Sequence, residues 1–342
     1  MAANGSPRNG ILDRGNGPEP STLDAHRCQE VACGNVLRDL YEGLVAEGAD
    51  GAVIPGTAER WETSADGLTW TFHLRANLHW SNGETLDARQ IAASFRRALA
   101  PSTAAPFAEQ FGALRNAEAV QQGKLPLSAL GVDATDANTV VFHLTRPAPL
   151  THLLLLPIAY PVYLPAIERF GAQHTRPGHL VSNGAYRLRA WLPQAAITLE
   201  RNLQFHSPAP IAAVRYDVTE DAGSELKRYE PGDLDLTETL PPQPLVQLRA
   251  RFGNELRIAP YLGAFWFGFN VTKAPLGPNG RSGSCPTSMP PTIGATMTGD
   301  RRTAAAADAR TPMSPASSSE CSRAHALRQA LSLAVDRDKL TR

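Results

Sequence analysis

The chain has 342 residues, with Lys plus Arg equal to Asp plus Glu at 33 each, and 42% hydrophobic against 19% charged side chains. That length exceeds one ordinary core and suits two lobes or more, and the apolar content is enough to fill them. A net charge of zero supplies no basic field to hold phosphate backbones or anionic lipid, so nucleic acid is not an expected partner.

Met1–Arg8 is polar, with no basic segment leading into a hydrophobic stretch and cleavage site. No export signal is visible there, which implies either a cytoplasmic protein or one whose leader has been removed. Leu37, Leu40, Tyr41, Leu44 and Val45 recur at three and four residues, which predicts a helix over Asn35–Glu47. After Pro55-Gly56, Leu68, Trp70, Phe72 and Leu74 alternate with Thr69, Thr71 and His73, the period of a half-buried strand. Asn82-Gly83 then marks a chain reversal. Asp87 can cap a helix striped by Ile91, Phe95, Ala98 and Leu99 and ended by Pro101.

Farther on, Asn138–Leu144 reads as a strand. The apolar run Leu153–Ile167 is interrupted by Pro157, Pro161 and Pro165, is too short to span a membrane, and reads as buried core. Pro165–Phe170 reads as a short helix with Gly171 after it. Asn183-Gly184 marks another turn, followed by paired strands Tyr186–Trp191 and Ala196–Arg201. Val214, Tyr216 and Val218 alternate, and Leu226–Tyr229 and Leu245–Phe252 read as helices, the latter ending at Gly253. Leu256, Ile258 and a strand Gly263–Val271 follow; the class is mixed α/β. Gly277–Ser322 is rich in Gly, Pro, Ser, Thr, Ala and Arg without periodicity, so it is expected to be disordered, with a helical stripe resuming near His325.

Cys28 and Cys33 lie close together, whereas Cys285 and Cys321 fall in the low-complexity stretch. Without a second pair at zinc-finger spacing, they read as ordinary thiols or one local disulfide, not as a metal site. No nucleophile elbow, His-Glu-x-x-His, phosphate loop or dinucleotide fingerprint is present. His73, His79 and His143 sit on or beside strands as solvated imidazoles, and Glu59, Glu62 and Asp66 bracket a surface turn. No catalytic residue, metal or cofactor is therefore assigned. A hydrolase would need a nucleophile that is not found. Trp70, Trp80, Phe107, Tyr186, Trp191, Tyr261, Phe265 and Trp266 mark aromatic strand ends, of which a minority are expected to face a ligand.

The run from Pro55 through Leu68–Arg75 to Trp80-Ser81-Asn82-Gly83 and Ala88 resembles the signature region of bacterial oligopeptide-binding proteins, extracellular solute-binding receptors that serve ABC importers. Gly15–His26, Asn35–Leu44, Asn183–Tyr186, Leu199–Asn202, Gly232–Asp235 and Leu327–Leu340 extend the likeness. The resemblance implies a hinged α/β clamp with an extra inserted domain. Residues 1–40 and 160–262 would form the first lobe, 41–159 the inserted α/β subdomain, and 263–342 the start of a distal lobe cut short, with 277–323 disordered.

It further implies a monomer in the periplasm or cell envelope that holds a short peptide by its backbone for a membrane permease. The matching cleft positions are Gln29, Val31, Phe107, Glu238, Tyr261, Gly263, Ala264, Phe265, Trp266 and Gly268. Ordinary core is the alternative role for Val31 and Phe107, and a solvated loop for Gln29 and Glu238. Alternative readings are a poorly binding family member, or a receptor for cell-wall peptide or a nickel chelate.

Overall fold

The computed structural model describes residues 10–258, so the expected strand Gly263–Val271, the segment Gly277–Ser322 and the helix near His325 lie outside the described residues. Up to Gly253 these residues belong to one compact unit.

In chain order, β1 (Ile11–Gly15) leads through a single 3-10 turn, Ala25–Arg27, to α1 (Val31–Leu40). The ribbon β2 (Val45–Glu47) and β3 (Val53–Pro55) precedes β4 (Ala58–Thr63) and β5 (Thr69–Leu74). Next come α2 (Ala88–Ala98), α3 (Ala117–Gln121), β6 (Val132–Ala134), β7 (Thr139–His143), α4 (Leu150–Leu153) and α5 (Leu164–Phe170). β8 (Tyr186–Leu192), β9 (Ala196–Arg201) and β10 (Ala213–Asp217) lead to α6 (Ala222–Tyr229) and α7 (Leu245–Phe252).

The strands form a sheet in the order β1-β10-β9-β8, a second in the order β4-β5-β7-β6, and the small ribbon. β1 runs parallel to β10, whereas the pairs within the second sheet are antiparallel. Each larger sheet carries its own apolar core. One packs Phe72 and Phe142 against Ile91 and Phe95 of α2, with edge-to-face ring contacts at 5.5 Å for Phe72–Phe142 and 5.0 Å for Phe95–Phe142. The other packs Val36, Leu37 and Leu40 of α1 against Ile197, Leu199, Val214 and Tyr216.

Local chemistry explains the start of α2. Asp87 accepts from the Gln90 N–H while the Gln90 side chain takes the Asp87 N–H, closing a reciprocal cap at the start of α2. The same Gln90 oxygen accepts from the indole of Trp80, which is wholly buried. The strand expected at Asn138–Leu144, the hairpin beginning at Tyr186 and the helix ending before Gly253 all stand within a residue or two of expectation. Glu59 and Glu62 lie exposed on β4, leading into the β4–β5 turn that holds Asp66.

The first helix departs from expectation. It starts at Val31 and stops at Leu40, with Tyr41 already extended and β2 beginning at Val45. The cause is distant in sequence: Asn183 Oδ1 accepts from the Glu42 N–H at 3.2 Å and its amide donates to the Glu42 carbonyl at 2.8 Å. These bonds satisfy the backbone where another helical turn would have done so. Gly184 then donates to the Leu40 carbonyl at 2.8 Å, and a Cβ on it would lie 2.5 Å from the Leu40 carbonyl carbon. Asn183-Gly184 is therefore a docking point for the end of α1, and its glycine is required by close approach.

A buried ionic latch ties the two cores. Arg97, near the end of α2, reaches Asp24 in the β1–α1 connection at 2.6 Å and donates to His26 Nδ1 at 2.8 Å. His26 Nε2 lies 3.1 Å from the Tyr160 carbonyl, and His174 approaches Asp24 at 3.8 Å. With Nδ1 accepting from a guanidinium, the imidazole is the neutral tautomer that donates from Nε2. Burial pushes the His26 pKa down to about 4. Burial alone would raise the Asp24 carboxyl, but Arg97 outweighs it and holds the group below its usual range.

Candidate functional site

Among the described residues, a densely paired polar face lies where β1 ends and α1 begins. In open α/β sheets the carboxyl ends of parallel strands leave a crevice, because the chain must turn away from the sheet there. β1 pairs with β10 on one side, and on the other Arg14 forms a parallel bridge with Leu236, with the Gly15 N–H donating to the Leu236 carbonyl at 2.8 Å. The segment after Leu234 thereby runs beside β1 and delivers Glu238 to its end.

There the side chains interlock. Arg14 Nη2 pairs with Glu238 Oε2 at 3.3 Å, and its guanidinium carbon stands 5.0 Å from the centroid of the Tyr216 ring. Asn35 donates to Glu238 Oε2 at 2.7 Å and to Asn16 Oδ1 at 3.3 Å, while Asn16 donates to the Ala32 carbonyl at 3.1 Å. The Tyr216 hydroxyl donates to Asp39 at 2.7 Å. Burial raises the Asp39 carboxyl even though that hydroxyl opposes the shift.

Beneath this edge sits Glu225 of α6, a buried carboxylate facing the N–H groups of Glu238, Gly17 and Thr239. Burial pushes its pKa up, and the neighbouring Glu238 charge adds to that effect. Gly15 is the residue that admits it: a Cβ there would lie 2.1 Å from a Glu225 oxygen. Gly15→Ala is therefore expected to displace Glu225 and destabilise the unit by about 2 kcal/mol, measured by denaturant unfolding.

The structure brings Val31 and Glu238 of the expected positions to this face, with Gln29 two residues before Val31 in the chain. Gln29 is exposed in the loop before α1, in keeping with its solvated-loop alternative, and Val31, the first residue of α1, is 65% exposed and so is not core. Val31 stands one turn before Asn35 on the same side of the helix, and Asn35 touches Glu238. Glu238 is half-buried and paired, which excludes the solvated-loop reading. Phe107 stands apart, half-buried against the core of α2; the nearby tie to the β1–α1 connection runs through the Thr103 carbonyl, which accepts from Arg27 at 2.9 Å. Tyr261, Gly263, Ala264, Phe265, Trp266 and Gly268 lie outside the described residues.

Arg14, Asn16, Asn35 and Glu225 were not singled out by sequence reasoning. The signal available for the first two is the apolar pair Ile11-Leu12 followed by Arg14-Gly15-Asn16-Gly17, a short strand ending in a glycine-rich turn. Of the aromatic residues, Trp80 and Tyr186 are core, and Trp70 and Trp191 are partly buried. Cys28 and Cys33 form a disulfide. Among the described residues no group of three His, Cys, Asp or Glu is placed to hold a metal ion, and no helix is long and apolar enough to cross a membrane.

The family model described as bacterial extracellular solute-binding proteins, family 5 Middle, matches residues 52–342. The periplasmic oligopeptide-binding protein OppA of Salmonella typhimurium is 39% identical over 270 residues, which cover 77% of this chain and 50% of that protein. The chain thus spans about half the length of the curated relatives it matches. Among solved structures, OppA of Burkholderia pseudomallei superposes with a TM-score of 0.70 at 32% identity, covering 72% of this chain and 49% of that one. OppA of Haemophilus influenzae in complex with the peptide RPPGFSPFR gives a TM-score of 0.69 at 33% identity, covering 72% of this chain and 49% of that one.

Proposed function

We propose, from the premise that this chain belongs to the bacterial extracellular solute-binding proteins of family 5, that it captures short peptides by their backbone for delivery to an ABC importer, without making or breaking a bond. The observation that carries this reading is the edge where Arg14, Asn16, Asn35 and Glu238 interlock beside the exposed Gln29 and Val31. Its side chains are already mutually paired, so the face is preorganised, and a guest can meet it without much reordering.

The ion pair and amide network also neutralise Glu238 internally. An edge of this kind binds without reading the guest's side-chain charge. The likeness to a solved relative holding a peptide supports the same ligand class. The two separate cores support the division into a first lobe of 1–40 and 160–262 with 41–159 inserted as a subdomain. The Cys28–Cys33 disulfide supports an oxidising compartment, in keeping with the relatives named periplasmic. We take the working unit to be a monomer.

Calorimetric titration of mixed short peptides into the chain is expected to give saturable heat, and well-folded protein that gives none would refute the reading. Val31→Glu is the sharper probe. Because the side chain is exposed, thermal unfolding should shift by no more than about 2 °C, while peptide affinity should fall about tenfold as a charge is placed beside the guest.

A further inference from the structure

Between the 3-10 turn Ala25–Arg27 and the first residue of α1 lie Cys28, Gln29 and Glu30. The disulfide joins the first of these to Cys33 in the opening turn of the helix, so it encloses the two candidate ligand-facing positions, Gln29 and Val31. We propose that the Cys28–Cys33 bridge is a positioning clamp: it fixes Gln29, Val31 and the start of α1 before a ligand arrives, and capture by this face depends on its being oxidised. The inference rests on the reading that this edge takes the ligand.

The helix start shows why a clamp is needed. An α-helix opens with unsatisfied N–H groups, usually secured by the side chain at the cap position. Glu30 occupies that position and makes no side-chain cap bond; its carboxylate instead accepts from the N–H and hydroxyl of Ser21, each at 2.8 Å. The carboxylate therefore holds the preceding loop, and the first turn of α1 is held by the covalent link together with the Asn16 bond to the Ala32 carbonyl. Both bridged residues are anchored in the lobe core, Cys28 being 4% exposed and Cys33 wholly buried, while Gln29 and Val31 project outward.

The surroundings give the clamp its leverage. Upstream, Asp24 caps the 3-10 turn through the His26 N–H and is held by Arg97. Downstream, the Ala32 carbonyl accepts from Asn16, and Asn35 donates to Glu238. A helix start free to fray would move Ala32 and Asn35 together, loosening the polar edge at the residues it uses. A short closed loop has few conformations, so the bridge restricts the segment most in the state without ligand.

Reduction supplies the test. A trialkylphosphine breaks the S–S bond, taking the oxygen of water while the two sulfurs take its protons. Hydrogen exchange followed by mass spectrometry on the chain, before and after reduction and in the Cys28→Ala, Cys33→Ala double variant, should show amides from Gln29 to Asn35 exchanging about tenfold faster or more. Protection in β5, β7 and the later turn of α1 should hold, and affinity for a mixed short-peptide pool should fall about tenfold. Unchanged exchange over Gln29–Asn35 after reduction would overturn the clamp. Loss of protection across the whole unit would overturn it too, since the bridge would then be a staple for the fold. If oxidised, well-folded protein takes up no peptide, it is the receptor reading that fails, and the exchange data still decide whether the bridge holds the loop.

Discussion

Arg97→Met is expected to destabilise the unit by about 3–5 kcal/mol in denaturant unfolding, because it leaves a charge stranded between the two cores. Asp24 is 5% exposed on its side chain and Arg97 17%, so neither group is well screened by water. The variant keeps most of the aliphatic volume of Arg97 while removing both donors to Asp24 and the donor to His26 Nδ1. The loss measures the penalty of an unpaired buried carboxylate, not the net worth of the pair, since two charges are costly to desolvate even when they meet. The double variant Asp24→Asn, Arg97→Met should therefore recover a substantial part of it, and the coupling comes from that cycle. Arg38→Met serves as the comparison: its partner Glu47 is 44% exposed and Arg38 itself 68%, so breaking that pair should cost under about 0.5 kcal/mol. Equal losses from Arg97→Met and Arg38→Met would mean that the latch does not hold the cores together.

The latch also marks where sequence reasoning reaches its limit. Elements whose signals are local were legible: Asp87 announces α2, Gly253 ends α7, and alternating apolar residues specify β5 and the β8–β9 hairpin. The end of α1 was not, because the apolar spacing of Leu40, Tyr41 and Leu44 continues past the point where Asn183 straightens the chain, 141 residues away from Glu42. β1 was missed for a related reason. Its residues Asp13 and Arg14 break an alternating pattern, and the strand is stabilised by parallel pairing to β10 across most of the unit. Val31, Gln29 and Glu238 came from family resemblance, and the physical reason for their grouping is contained in pairs such as Arg14–Glu238 and Asn35–Glu238, separated by 224 and 203 residues. No periodicity carries such a contact.

His26 should make stability fall as the solution is acidified from about pH 6.5 to about pH 4. Its imidazole ionises near 6.5 when unfolded and is pushed down to about 4 in the fold, by burial first and by Arg97 second. Between those values the unfolded chain binds a proton that the folded chain refuses, so stability is full above the upper value and is lost progressively toward the lower one. The gap corresponds to roughly 3 kcal/mol. His174, also lowered by burial, acts in the same direction. Asp24 is held low by Arg97, so its contribution persists until still lower pH and is lost as the carboxyl takes up its proton. Asp39 and Glu225 act oppositely, because their raised carboxyls bind protons more readily in the fold and favour it as acid is added. The net curve therefore mixes signs, and the informative quantity is a difference. His26→Gln can still meet the Tyr160 carbonyl and the Arg97 donor with an amide that does not titrate. The unfolding free energy of the parent should fall by roughly 3 kcal/mol relative to that of the variant as pH drops through that window, since only the parent carries the His26 titration. Parallel curves from pH 7 to pH 4 would mean that the imidazole is not held neutral between the two cores.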